Sequence, residues 1–280
     1  MKILLLTNLN NEESEEDIWI ANTFKKDGNI VDISWIDYDE ALDNEYDIFI
    51  KRNIWLDSSY CYEKILRYEE NANKLNDRLK GENKKIINFN GNFDGQGKQY
   101  LIDLYNRGYE VIPSIDKKQD FCKLPEAEKY LLKPKIGYDG MKQRIICKEE
   151  IDIIDFNKYI LQPLLEFQSE VQFYFINNKL QYALEFKPSK LPIYPDAVKY
   201  GYNEKEKQIA QEFADLNKQF IGIQRIDFIK LYNGKIKLLE IEDAAPYLDL
   251  DQLDVDEREK FLHNYKNMVY DYYKEQKKEY

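Results

Sequence analysis

Residues 224–242 read QRIDFIKLYNGKIKLLEIE, and the reading of this stretch decides the fold. Asn233-Gly234 separates two runs rich in aliphatic and β-branched residues, and Asn-Gly favours a tight hairpin turn because both positions accept positive φ. The pattern predicts a hairpin of Gln224–Tyr232 against Lys235–Ile241. Side chains two apart on a strand share a face, so Arg225 and Asp227 are co-facial, and so are Glu240 and Glu242. Pairing through the turn lets the two sets converge. Ile226, Phe228, Leu239 and Ile241 then face the core. Three gathered carboxylates repel unless something positive sits among them, and hard oxygen ligands suit Mg²⁺. The same acids could instead pair with Arg225 and hold no metal.

Upstream, Glu204–Phe220 is an amphipathic helix with Ile209, Phe213, Leu216 and Phe220 on one face. Before it lie two β-rich stretches, Tyr130–Ile146 and Tyr159–Phe175 continuing to Phe186. Within the second, Tyr159–Leu165 (YILQPLL) is an apolar linker whose backbone can serve an adenine edge, and Glu170 follows it as an acceptor for ribose hydroxyls. Within the first, LLKPKIGYDG (131–140) places Lys133 at a strand end before a glycine-bearing turn, where an ammonium and backbone N–H groups can meet phosphate. In isolation, a core strand with a solvated Glu and a hairpin with an exposed Lys explain these two stretches better.

Downstream, Asp254–Glu279 is a long charged helix expected to pack on the last domain, with a homodimer contact as the alternative. The N-terminal portion alternates strands (Met1–Asn8, Ile30–Ile36, Tyr46–Arg52, Lys85–Phe89) with helices (Glu12–Lys26, Tyr60–Leu79), which predicts a small parallel α/β domain. The loop NGNFDGQG (90–97) marks its boundary. Beyond it come a helix, Lys98–Gly108, and a strand, Tyr109–Ile112. No GxGxxG follows the first strand, which argues against a dinucleotide site there. Arg52, just past the third strand, is a candidate for holding a substrate carboxylate, or a surface Arg pairing one of many acids.

Composition narrows the functional classes. A net charge of −11 disfavours nucleic acid or an anionic membrane as the main partner. One histidine excludes His-based triads and multi-His metal sites. Three cysteines without metal spacing fit reduced thiols and a cytoplasmic location, and the apolar opening Ile3–Leu6 is too short for a signal or a span.

In this order and spacing the three stretches resemble the ATP-grasp superfamily, in particular glutathione synthetases and D-alanine–D-alanine ligases, over about Asn88 to Leu250. The resemblance implies an α/β (α+β) fold in which two α+β subdomains sandwich ATP behind an N-terminal parallel α/β domain, with divisions at 1–90, 91–165 and 166–280. It implies ATP and Mg²⁺ as cofactors. A small-molecule or peptide carboxylate would be joined to an amine or thiol through an acyl phosphate. A small-molecule kinase or an inactive nucleotide-binding relative on the same fold are the alternatives. Residue by residue, Lys98 and Lys133 resemble the phosphate-binding lysines, and Gly137 and Gly140 the flexible loop. Gln162 and Leu164 resemble the adenine hinge, and Glu170 the ribose acid. Asp227, Glu240 and Glu242 resemble the metal ligands, and Arg225 the arginine that steadies the transferred phosphoryl group. Lys187 and Lys199 both suit a further phosphate contact, with Lys199 preferred in its Ala-Val-Lys-Tyr context. The chain departs from the family in having Glu242 where Asn is usual, a glycine-poor loop, and Ser169 where Gly precedes the ribose acid.

Overall fold

The computed structural model describes residues 1–7, 15–34, 45–52, 74–89, 91–93, 97–136, 143–188, 197–244 and 246–277. The N-terminal strands β1 (Lys2–Leu6), β2 (Ile30–Ser34), β3 (Ile48–Lys51) and β4 (Lys85–Ile87) form a parallel sheet in the order β2-β1-β3-β4. β1 and β3 are nearly continuous apolar runs buried on both faces, as central parallel strands must be. Helix α1 (Glu15–Lys25) opens with three acids and closes on a lysine, charges that complement its dipole. A helical stretch over 74–81, α2, covers the other face through Leu75 and Leu79. The remainder of the helix expected over Tyr60–Leu79 lies outside the described residues.

The second sheet is antiparallel, with β5 (Tyr130–Pro134) between β6 (Arg144–Ile146) and β7 (Tyr159–Pro163), over a core of its own that includes Tyr130, Leu132, Ile146, Ile151 and Leu161. The third sheet has the order β10-β9-β8-β11-β12, formed by β8 (Ser169–Ile176), β9 (Lys179–Phe186), β10 (Ala197–Lys199), β11 (Ile223–Lys230) and β12 (Ile236–Glu242). One face packs on α3 (Gln99–Asn106) and α4 (Glu204–Ala214), which bury Leu101, Leu104, Ala210 and Phe213 against Phe173, Ile226, Phe228 and Ile241. Part of the opposite face, through Tyr174, Tyr182 and Leu184, joins the parallel sheet and α5 (Val255–Lys277) in a single core. Among the described residues no helix is long and apolar enough to cross a membrane.

Several expectations need correction. Tyr109–Ile112 makes no strand, only an isolated bridge from Val111 to Leu238. The α-helix begun at Glu204 ends at Ala214 and tightens into a 3₁₀ turn over Asp215–Asn217, where Asn217 turns inward to Asp243. Leu238, not Leu239, enters the core, because the β11–β12 register shifts between Asp227 and Phe228. Such a bulge leaves one residue over and inverts the alternation beyond it. The last helix packs against α1 as well as the last sheet.

Candidate functional site

The bulge falls beside the chemistry. On its far side the register pairs Asp227 with Glu240 and Arg225 with Glu242, so all four side chains stand on one face of two neighbouring strands. Ligand atoms from Asp227, Glu240 and Glu242 lie within 4.8 Å of one another. Opposite ligands on octahedral Mg²⁺ stand ~4.2 Å apart, so three hard carboxylates at this spacing fit such an ion with small side-chain adjustment.

Cations are threaded through the acids. Arg225 grips Asp227 with a fork, Nε donating to Oδ1 and Nη2 to Oδ2, both at 2.9 Å, and Nη2 also reaches Glu242 Oε1 at 2.8 Å. Its Nη1 donates to the Tyr247 carbonyl at 3.3 Å. Lys98 Nζ stands 3.2 Å from Glu240 Oε2. The Lys98 backbone N–H donates to the Lys135 carbonyl at 2.8 Å, which ties the start of α3 to the end of β5. Gly97 makes this approach possible: its φ is +84°, and a Cβ there would meet that same carbonyl at 2.7 Å.

Burial pushes the Asp227 carboxyl up to about 7 despite the opposing pull of Arg225. Burial would raise Glu240 too, but the Lys98 and Lys133 ammonium groups overcome it and hold that carboxyl down at about 2. Lys133 is buried on β5, and burial lowers its pKa although Glu240 and Glu170 favour its charge. Lys98 links the two sheets at the site, its backbone N–H bonded to the Lys135 carbonyl just past β5 and its Nζ to Glu240 on β12. Glu170 is raised by burial and accepts a hydrogen bond from Gln172 Nε2 at 2.9 Å.

The structure therefore brings together Lys98, Lys133, Glu170, Arg225, Asp227, Glu240 and Glu242. The other predicted residues that the structure describes are engaged elsewhere. Gln162 is buried and spends its amide on Ser114 Oγ at 2.8 Å, while the Leu164 N–H already donates to the Lys129 carbonyl. Lys199 sits at the sheet edge, largely exposed, and pairs with Glu257 on α5. Arg52 is fully buried among Asp17, Glu16 and the Pro246 carbonyl, so as placed it cannot meet a substrate carboxylate. Gly137 and Gly140 lie outside the described residues.

Sequence reasoning passed over Gln172, Tyr174, Asp243 and Asp249. The Tyr174 hydroxyl lies 2.7 Å from Gln172 Oε1 and 2.6 Å from Asp249 Oδ2. Gln172 and Tyr174 follow Glu170 at strand spacing, a signal that could have placed them on the site's face. Asp243, wholly buried, accepts from the backbone of Asn92 and Phe93 and from Asn217, pinning the loop before α3 behind the carboxylates. No sequence pattern distinguishes it from the acids around it.

No family model matches this sequence, and no curated protein matches it significantly. Solved structures do. D-cycloserine synthetase DcsG superimposes with a TM-score of 0.71 at 16% identity, over 94% of this chain and 99% of that one. The ATP-grasp ligase PsnB, complexed with a phosphomimetic variant of its minimal precursor, Mg and ADP, gives 0.66 at 13% identity, over 95% and 98%. The macrocyclase MdnC, bound with precursor peptide MdnA from Microcystis aeruginosa MRC, gives 0.63 at 12% identity, over 92% and 97%. At such identities the likeness is one of architecture, and the architecture is the ATP-grasp fold.

Proposed function

We propose that this ATP-grasp chain is a ligase that activates a carboxylate with ATP, passes through an acyl phosphate, and joins the acyl group to an amine or thiol. The observation that carries the reading is the convergence of Asp227, Glu240 and Glu242 beside Arg225, Lys98 and Lys133, in a fold that PsnB presents with Mg and ADP bound. In this reading the chain divides at 1–90, 91–165 and 166–280, and the substrate is a small-molecule or peptide carboxylate.

Asp227, Glu240 and Glu242 would hold Mg²⁺, which supplies charge neutralisation at the phosphates when bound. Lys98 and Lys133, one from the start of α3 and one from β5, approach the phosphate position from either side of the site. A substrate carboxylate oxygen attacks the γ-phosphorus and ADP leaves. The amine or thiol then attacks the acyl carbon, loses its proton, and expels phosphate. Arg225, held rigidly by two carboxylates and a carbonyl, stabilises charge on the transferring phosphoryl oxygens without reorganising during the step. Phosphoryl transfer needs positioning and charge neutralisation more than a protein nucleophile, and this site supplies both.

The test is thermal stabilisation by ATP with and without Mg²⁺, on wild type, Lys133→Ala and Asp227→Asn. At ~100 times its Kd a ligand contributes ~2.7 kcal/mol, an easily measured melting shift. A Mg²⁺-dependent shift lost in both variants, with ADP release on adding carboxylate–amine pools, is the expected result. No shift in the wild type withdraws the assignment. A phosphorylated product formed stoichiometrically without a ligated one assigns a kinase instead.

A further inference from the structure

Arg52 has no opening to solvent, yet it sits at the carboxyl end of β3 with every part of its guanidinium engaged. Nε donates to Asp17 Oδ1 and Nη2 to Glu16 Oε1, each at 2.7 Å, and Nη1 donates to the Pro246 carbonyl at 3.1 Å. Asp17 in turn accepts from the Thr7 hydroxyl. Burial pushes the Glu16 carboxyl up to about 8, against the pull of the Arg52 guanidinium. A buried arginine is costly unless fully partnered, and here the partners are complete.

The third partner gives the cluster a reach beyond the N-terminal sheet. Glu16 also accepts the Leu248 N–H, at 3.0 Å to Oε2. The backbone from Pro246 to Leu248 is thus gripped at both ends, by Arg52 on the Pro246 carbonyl and by Glu16 on the Leu248 amide. The Tyr182 hydroxyl donates to the Leu248 carbonyl as a third hold. Between the two grips lies Tyr247, whose carbonyl accepts from Arg225 Nη1. Among the described residues that carbonyl is the one acceptor for Nη1, the others serving Nε and Nη2. The plane of the Arg225 guanidinium is set by its fork on Asp227, by Glu242 on Nη2 and, at Nη1, by this single backbone oxygen.

We propose that Arg52, with Glu16, is a positioning residue for the reaction: together they fix Pro246–Leu248 so that the Tyr247 carbonyl holds Arg225 in its working orientation. The inference rests on the ligase reading for what Arg225 does, and on geometry alone for how Arg225 is held. Lysine at position 52 would keep the charge but could not reach Asp17, Glu16 and the Pro246 carbonyl at once, because it lacks the planar fork. The Tyr247 carbonyl would then shift and the guanidinium with it, while the nucleotide-binding lysines stay in place.

The experiment compares Arg52→Lys with wild type on two readouts. In kinetics, kcat for ADP release falls about tenfold or more while the ATP Kd stays within about twofold, since small misplacements of a catalytic group cost turnover rather than binding. The fall disappears when Arg52→Lys is made on an Arg225→Lys background, because the strut then has nothing to hold. An equal loss on both backgrounds overturns the proposal. The second readout needs no turnover. The ¹⁵N–¹H signal of Arg225 Nε, assigned by its absence in Arg225→Lys, shifts in Arg52→Lys, and an unchanged signal in the folded variant overturns the proposal. If Arg52→Lys does not fold, Glu16→Ala removes the Leu248 grip and is read by the same signal with the same criterion. A wild type that turns over no ATP refutes the ligase reading, and the Arg225 signal still decides the strut.

Discussion

Burial opposes a charge on Lys133, and among the described residues nothing forms an ion pair with it. Lys98, at the same site, has Glu240 at 3.2 Å. Glu240 and Glu170 act on Lys133 from a distance, and burial still wins, because desolvating an ammonium costs more than a remote carboxylate returns. Under the proposed function, a buried lysine with Glu240 and Glu170 in its surroundings but no ion pair of its own is accounted for by a ligand that supplies the missing counter-charge. Lys133→Met keeps the bulk and removes the burial cost, so the ligand-free protein should be at least as stable as wild type. The same substitution should abolish stabilisation by Mg²⁺-ATP. Denaturant unfolding with and without nucleotide checks both halves, and a variant less stable than wild type without nucleotide would contradict the account.

At the scale of elements, what the sequence made legible was local. Asn233-Gly234 announces the β11–β12 hairpin, and period-two spacing brings Arg225 and Asp227 onto the face that carries Glu240 and Glu242. The bulge after Asp227 was not legible, because it depends on how β12 meets β11 and on no residue type in either strand. Nor was the fate of Arg52, whose partners Asp17 and Pro246 lie 35 and 194 residues away in sequence. The junction of β4 with β11 is of the same kind. Asn88, at φ +64°, donates from Nδ2 to the Ile223 carbonyl and accepts the Ile223 N–H on Oδ1, while its backbone N–H meets the Ile221 carbonyl. Gly222 at φ +144° lies against it, and a Cβ there would come within 2.2 Å of Asn88 Oδ1. Gly222→Ala combines an unfavourable backbone with a clash at the clamp joining the parallel sheet to the strand that carries Arg225. It should cost about 2 kcal/mol or more in chemical denaturation. A cost under about 0.5 kcal/mol would mean the clamp yields freely.

Across the whole molecule the cores are distributed unevenly. Ile3, Leu5, Ile48 and Ile50 of the parallel sheet share one cluster with Tyr174, Tyr182 and Leu184 of the five-stranded sheet and with Phe261, Tyr265 and Val269 of α5. The three-stranded sheet that carries Lys133 has its own small cluster. The hydrogen bonds from Arg52 and Glu16 to Pro246 and Leu248 lie alongside the shared cluster, so the geometry at Arg225 is underwritten by a core that neither sheet owns alone. Phe261 is central to it, ring to edge with Tyr182 at 5.4 Å and stacked on Tyr265 at 6.5 Å, which meets Phe24 of α1. Phe261→Ala should therefore cost about 3–5 kcal/mol. Because the cluster is continuous, the loss should appear in both sheets together. Amides of β1 and of β8 should exchange faster by the same factor, about a hundredfold or more, within one cooperative unfolding transition. Faster exchange confined to β1, with β8 unchanged, would show that the parallel sheet opens on its own. The shared core would then be a contact surface rather than a single folding unit.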